Sequence, residues 1–257
     1  MPSRVLVGLT VTDALAYVWR EVLEAVGKLD WPDLRYHGVF HRAPSALDEW
    51  GRWKADRQAT EDCLSEPSPG TRHNWRGYDD HGLTVVMAVQ EKLRQAFLHT
   101  DAEWLFSVEC DQIVEPDTLR VLMETGLPLV MAATPARHAP ELMNCTLGTV
   151  GKLRCPPVDQ FAFRRTVPVT SVALGCTLIR RDLLEAVGWE DPEALMRKYH
   201  NGGDVAFSCE VTEKLGVVPH ICMGTTAVHV QKLGSTLHYY WLAANTVEKT
   251  VVRPKHQ

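Results

Sequence analysis

The sequence lacks the features that typify a disulfide-stabilised, zinc-knuckle or membrane protein. Its seven cysteines are scattered over 257 residues and include no C-x-x-C pair, which argues against a disulfide framework or a zinc site. No apolar run approaches the roughly 18 residues that a membrane-spanning helix needs, and no signal-peptide pattern precedes the first predicted strand. The net charge of −5 gives no global attraction to nucleic acid or anionic membranes. We therefore expect a protein of a reducing compartment, the cytoplasm, without a membrane span.

What the chain does have is an alternation of strand and helix patterns. Buried, β-branched segments at 4–11, 34–40 and 127–133 predict parallel strands, and amphipathic segments with apolar residues at helical spacing lie between them. With 45% hydrophobic residues, the chain can bury a substantial core. We predict one α/β domain at 1–232, with a mostly parallel central sheet flanked by helices. Residues 233–257 are predicted to be a tail that packs on this domain or extends from it.

The segment 41–81 interrupts this alternation. It is charged, contains Trp50, Trp53 and Trp75, and has a Pro/Gly cluster at 67–70. A loop of this length is uncommon in a compact domain unless it is a lid or a binding loop. We predict a functional loop whose tryptophans form either a sugar-binding platform or a local hydrophobic cluster.

Two acidic residues follow the most strand-like segment of the chain. The apolar run at 104–108 ends in Glu109 and Asp111, with Cys110 between them. Residues two apart on an extended chain point to the same side, so the two carboxylates are predicted to converge at the carboxyl end of a strand, where α/β sheets bind ligands. Two carboxylates together are costly unless a cation lies between them, and hard cations such as Mg²⁺ or Mn²⁺ prefer oxygen ligands. We predict a divalent metal site here, with Cys110 pointing into the core; solvated loop acids or a helix cap are the alternatives.

Three further segments accompany the acidic pair. These are the strand-like Leu174-Gly175-Cys176-Thr177-Leu178-Ile179-Arg180-Arg181, the sequence Gly203-Asp204-Val205-Ala206-Phe207 at a helix start, and a lone His229 in a short strand. In this order, after an N-terminal strand and helix, they resemble the glycosyltransferases of the GT-A fold, family-2-like. The resemblance covers roughly residues 4–230.

The resemblance implies a GT-A-type sandwich in which residues 1–232 bind a nucleotide-sugar and catalyse hexosyl transfer to an acceptor hydroxyl. The donor would be a UDP- or GDP-sugar. Carried over to this chain, Glu109 and Asp111 would bind the metal that holds the diphosphate, His229 would complete the metal shell, and Asp204 would face the acceptor. The chain departs from the family pattern, because Glu109 replaces the usual Asp and Asp204 follows a glycine rather than a second acid.

The chemistry of transfer fits these residue types. A divalent metal stabilises the departing diphosphate as a Lewis acid, and an imidazole ligand such as His229 favours Mn²⁺ over Mg²⁺. Asp204 is the candidate base, and the helix dipole is expected to keep it ionised and weakly basic. Gly175 inside a strand predicts close approach of the sugar to the backbone. Arg137 is a candidate contact to phosphate or acceptor.

Each of these assignments has a structural alternative. Asp204 could simply cap its helix, because Asp is a favoured N-cap residue. His229, between two valines, could be a core histidine, and Arg137 could be an ordinary polar loop residue.

Two other functions stay open at this point. A nucleotidyltransferase that makes sugar nucleotides would share the strands, metal and carboxylates, although residues 11–13 lack the glycine-rich phosphate loop expected of one. A non-catalytic sugar- or partner-binding module could keep the same fold. The acceptor could be a glycan, a protein, a small molecule or a modified nucleic-acid base.

Overall fold

A computed structural model describes residues 3–64, 80–161, 165–199, 202–243 and 246–253. Seven α-helices lie in these ranges: α1 (Trp19–Val26), α2 (Pro44–Trp53), α3 (Asp80–Leu98), α4 (Thr118–Glu124), α5 (Arg181–Ala186), α6 (Pro192–Tyr199) and α7 (Gly203–Leu215). The strands are β1 (Val5–Thr12), β2 (Leu34–His41), β3 (Ala59–Leu64), β4 (Trp104–Glu109), β5 (Gln112–Val114), β6 (Leu129–Ala133), β7 (Cys145–Thr146), β8 (Thr166–Pro168), β9 (Ser171–Val172), β10 (Cys176–Arg180), β11 (His220–Leu233), β12 (Thr236–Ala243) and β13 (Thr246–Val252).

The main sheet has the order β13-β12-β11-β6-β10-β4-β1-β2-β3, with β5 and β8 paired to β11. From β3 to β11 the strands run parallel except for β10, which is antiparallel to both β4 and β6. The predicted fold class, an α/β domain with a mostly parallel central sheet flanked by helices, is confirmed.

The sheet separates two hydrophobic clusters because successive side chains of a strand point to opposite faces. On β1, Val5, Val7 and Leu9 pack on the face covered by α1, whereas Leu6 packs on the face covered by α3. Gly8 lies on this second face, and its missing side chain leaves room for Leu93 of α3, whose Cδ1 would lie 2.7 Å from a Cβ at this position. The two cores hold the central strands rigidly, and therefore also the residues at their ends.

The prediction of a continuous loop at 41–81 is wrong for residues 44–64, which form α2, a 3₁₀ turn and β3. Pro44 at the first turn of α2 starts the helix, and β3 pairs with β2 in parallel register. Trp50 is fully buried, with ring centroids 6.3 Å from Trp19 and 5.8 Å from Phe40. Trp50 is thus a core residue and not part of a sugar-binding platform. Residues 80–81 already belong to α3, and residues 65–79, with Trp75, lie outside the described residues.

The C-terminal part of the described chain continues the sheet. The short strand predicted around His229 is part of the longer β11, which has an irregularity between Cys222 and Thr226. Strands β12 and β13 then add to its far side as antiparallel neighbours. The division of the chain at residue 232 stays a prediction. Within the described ranges, no helix is both long and apolar enough to cross a membrane.

Candidate active site at the carboxyl ends of the central strands

Glu109 is the last residue of β4, at the edge of the sheet where β1, β4 and β6 end. Because β10 is antiparallel to β4, its start meets the end of β4, and the Glu109 N–H donates to the Gly175 carbonyl at 2.8 Å. The chain turns at Cys110 and Asp111 before β5, so the predicted extended geometry is wrong here. The prediction for Cys110 is confirmed, because its side chain is buried in the core.

Asp111 is completely buried and carries the densest set of polar contacts at this edge. Its Oδ2 accepts a hydrogen bond from Nη1 of Arg137 at 2.6 Å and lies 3.6 Å from Nε2 of His229. Burial alone would raise the pKa of this carboxyl, but His229 and Arg137 outweigh it and hold the pKa below its ordinary value. Oδ1 of Asp111 is buried and has no hydrogen-bond partner among the described residues. One carboxylate oxygen is therefore paired, and the other is buried without a partner among the described residues.

The tautomer of His229 follows from its backbone contact. Its Nδ1 lies 2.8 Å from the Pro135 carbonyl oxygen, which can only accept, so Nδ1 donates the proton. Nε2 faces Asp111, where it is a positively charged partner of the carboxylate in the protonated ring and carries a lone pair in the neutral ring. An imidazole whose second nitrogen donates to a carbonyl is the usual arrangement of a metal-binding histidine. His229 is nearly buried, as a core histidine would be, but it is directed at a carboxylate and not at apolar side chains.

Glu109 and Asp204 form a second acidic pair in the same site. Burial, followed by the negative charges of Asp111 and Asp204, raises the pKa of Glu109 to about 8. Burial also raises the pKa of Asp204, against the hydrogen bonds from Gln90 and the Leu174 amide. The expectation that the helix dipole would leave Asp204 weakly basic is therefore wrong, because the loss of hydration dominates.

Asp204 is not the N-cap of its helix. Gly202 occupies that position and Asp204 lies in the first turn of α7. Its Oδ1 accepts a hydrogen bond from Nε2 of Gln90 on α3 at 2.8 Å. The structural alternative of simple capping is thereby removed. Gln90 itself is buried, and its Oε1 has no partner in the described part of the chain.

Gly175 lies against the side chains of Gln112 and Glu109. A Cβ at position 175 would lie 1.9 Å from Nε2 of Gln112 and 2.9 Å from Oε2 of Glu109. Gly175 is needed because these side chains occupy the space that any other residue would fill. The structure shows close approach of Gln112 and Glu109 to Gly175, and close approach of a sugar stays a prediction.

Sequence reasoning missed Gln112 and Gln90. Gln112 directly follows the acidic pair and begins a short strand, so its position was the only available signal. Gln90 lies in the middle of α3, on a helix whose pattern shows only an amphipathic face. At both positions, the sequence does not distinguish a glutamine that binds a ligand from a glutamine on the surface.

The donor atoms fit a divalent cation with part of its shell supplied by a ligand. In the described ranges, no group of three or more His, Cys, Asp and Glu side chains is arranged to hold a metal ion. Asp111 Oδ1 and His229 Nε2 nevertheless offer one hard oxygen and one nitrogen. Mg²⁺ commonly binds one or two carboxylates and completes its shell with water and phosphate oxygens. Two protein ligands therefore suit an ion that enters together with a diphosphate.

A cleft of about 270 Å³ opens between α2 and the 3₁₀ helix at Asp13–Val18. Its polar lining comes from Tyr17, Ser45, Glu49 and Lys232. The Tyr17 hydroxyl donates to the Val230 carbonyl at 2.7 Å. Burial and the nearby charge of Asp111 raise the pKa of Tyr17 to about 12, so this lining residue lies close enough to Asp111 to respond to its charge.

Comparison with known proteins gives structural neighbours only. No model of a protein family matches the chain, and no curated protein matches it. The chain is similar to S. aureus TarS 1-349 in complex with UDP-GlcNAc, with a TM-score of 0.48 and 12% identity over 86% of this chain and 55% of that chain. A second TarS 1-349 structure gives 0.48 and 11% over 86% and 57%, and a complex with UDP gives 0.46 and 12% over the same shares. The chain spans little more than half the length of these proteins. Similarities with TM-scores below 0.5 carry no argument about function.

Proposed function

We propose that the protein is a metal-dependent glycosyltransferase that moves a sugar from a nucleoside diphosphate to an acceptor hydroxyl. Asp111 and His229 would hold the ion at the diphosphate, Glu109 lies beside them, and Asp204 positions and deprotonates the acceptor. A UDP- or GDP-sugar is the donor, and Mn²⁺ or Mg²⁺ is the cofactor.

The observation that carries this proposal is a cluster of buried polar atoms without partners. Asp111 Oδ1, both amide atoms of Gln112, and Gln90 Oε1 lack hydrogen-bond partners among the described residues. Native proteins rarely bury such groups unpaired, because each costs about 1–3 kcal/mol. All four atoms belong to side chains around Glu109, Asp111 and Asp204, where ligands of α/β sheets bind. A polar ligand that bridges the acidic residues would satisfy them.

The charges of the site suit a diphosphate that arrives with a cation. Arg137 already neutralises Oδ2 of Asp111, and its guanidinium can also donate to phosphate oxygens. Tyr17 and Lys232 line the cleft of about 270 Å³, which would take the nucleoside. When bound between Asp111 and the diphosphate, the cation would act as a Lewis acid for the leaving group.

Asp204 is the proposed base. Its burial makes it a stronger base than an exposed Asp, and the hydrogen bond from Gln90 fixes its orientation. In the reaction the bond between the anomeric carbon and the phosphate oxygen breaks, and a bond from that carbon to the acceptor oxygen forms. Asp204 takes the proton of the acceptor hydroxyl. The diphosphate leaves with the bonding electron pair.

The direct test is the release of nucleoside diphosphate. The protein is incubated with Mn²⁺ and UDP-GlcNAc, UDP-glucose or GDP-mannose, and the products are separated by ion-exchange chromatography. We expect UDP or GDP to accumulate from one donor, with or without an added acceptor. No release from any donor would favour a binding module, and release of pyrophosphate from a nucleoside triphosphate and a sugar phosphate would favour a nucleotidyltransferase.

A further inference from the structure

Gln112 is a fully buried amide that hydrogen-bonds to nothing in the described chain. It is 1% exposed, and both Nε2 and Oε1 lack a partner. Burying a primary amide without hydrogen bonds is unfavourable, and an apolar side chain of similar size would avoid the cost. Glutamine at position 112 is therefore less favourable for the stability of the fold than an apolar residue would be.

The surroundings direct this amide into the proposed active site. Gln112 begins β5 and lies opposite His229 in the β5–β11 pair. Its amide lies against Gly175, beside Oε2 of Glu109. Gln112 therefore connects the strand of His229 to the Glu109 side of the site. A donor held at these residues would contact this amide.

The chemistry of the amide selects among the parts of such a donor. Phosphate oxygens only accept hydrogen bonds, so they could satisfy Nε2 but would leave Oε1 unpaired. A hydroxyl or acylamino group both donates and accepts, and can satisfy both atoms. A neutral amide also attracts the diphosphate less than the cation and Arg137 do.

We propose that Gln112 binds the transferred sugar through a hydroxyl or acylamino substituent and so helps select the donor sugar. The inference rests on the proposed glycosyl transfer. Gly175 supports this role because it has no side chain that would displace the amide. Gln112 contributes little to binding of the nucleoside diphosphate alone.

The test separates the sugar from the nucleotide. Gln112→Met keeps the volume and removes both polar atoms. Calorimetry with Mn²⁺ compares UDP and GDP with UDP-GlcNAc, UDP-glucose and GDP-mannose, for the wild type and this variant. We expect unchanged affinity for the nucleoside diphosphate, an affinity for the preferred sugar donor at least about tenfold weaker, and a melting temperature of the free protein equal to or above that of the wild type.

Gln95→Met is the matched control, because Gln95 hydrogen-bonds to Glu91 on α3, away from the site. It should change neither affinity. Gln112→Asn is the second variant; it keeps the amide but withdraws it by one methylene, and it should weaken only the sugar donor.

The outcomes separate this inference from the function on which it rests. A wild type that binds no nucleotide and no donor overturns both. Wild-type donor binding in Gln112→Met and Gln112→Asn overturns the role of Gln112 and leaves the proposed function standing. Equal losses for nucleoside diphosphate and donor, or a strongly lowered melting temperature in both variants, would make Gln112 a structural residue.

Discussion

Nη1 of Arg137 lies 2.6 Å from Oδ2 of Asp111, joining the segment after β6 to the turn after β4. Asp111 is completely buried, whereas the Arg137 side chain is about one quarter exposed. The pair brings a positive charge to an acidic site in the absence of a ligand. Removing one partner of such a pair leaves a buried charge uncompensated.

We therefore expect Arg137→Met to lower the free energy of unfolding by about 2 kcal/mol, measured by urea denaturation. Adding Asp111→Asn to this variant should restore part of the loss, because the unpaired charge is removed. Arg120→Met is the control, since the ion pairs of Arg120 with Asp30, Asp117 and Glu124 are exposed, and it should change stability by less than about 0.5 kcal/mol. An Arg137→Met protein as stable as the wild type would refute the importance of the pair.

Gly175 gives a second prediction. In Gly175→Ala the new Cβ would overlap Gln112 Nε2, so the Gln112 side chain has to move. We expect a stability loss of about 1–2 kcal/mol, and weakened binding of the sugar donor in calorimetry. Gly224→Ala is the control, because its Cβ would make ordinary contacts at 3.5 Å. Undiminished donor binding in Gly175→Ala would show that the packing of Gln112 against Gly175 is not needed for donor binding.

Asp204→Asn tests the proposed base. Asn keeps the size of the side chain and can still accept the Gln90 hydrogen bond, so fold and donor affinity should be preserved. Turnover should fall by about 100-fold or more, because general base catalysis contributes factors of this size. Glu213→Gln, which changes an exposed acid at the far end of α7, should keep wild-type turnover. Normal turnover in Asp204→Asn would eliminate Asp204 as the base.

Glu210 lies outside the site, and its lowered pKa predicts how the stability of the protein depends on pH. Burial would raise the pKa of this carboxyl, but hydrogen bonds from Lys198, Lys214 and Tyr199 outweigh it and lower the pKa from 4.5 to about 2. A depressed folded-state pKa means stability that is present above pH 4.5 and lost as the pH falls toward 2. We expect Glu210→Gln to be less stable than the wild type at pH 7, and the difference to shrink between pH 4.5 and 2 in thermal unfolding. A difference that stays constant over this range would contradict the assignment.

The strand pattern predicted much of the fold because buried parallel strands carry continuous apolar runs. Strands β1, β2, β4 and β6 and the helix α7 lie close to where the sequence placed them. Residues 44–64 could not be predicted, because the burial of Trp50 depends on contacts with Trp19 and Phe40, which are distant in sequence.

The candidate site, like residues 44–64, could be predicted from the sequence only in part. The residues Glu109, Asp111, Asp204, Gly175, Arg137 and His229 lie at one edge of the sheet, as the spacing of strand ends indicated. The raised pKa of Asp204 and the unpaired amide of Gln112 depend on burial in three dimensions, which residue type and spacing do not encode.

The most direct test of the account is calorimetry of the sugar donor with the wild type and Asp111→Ala, in the presence of Mn²⁺ and of EDTA. We predict saturable binding of one UDP- or GDP-sugar to the wild type with Mn²⁺, weakened by EDTA and abolished in a folded Asp111→Ala. Equal donor affinity in the two proteins, with or without the ion, would contradict the assignment of Asp111 as the residue that holds the metal and the diphosphate.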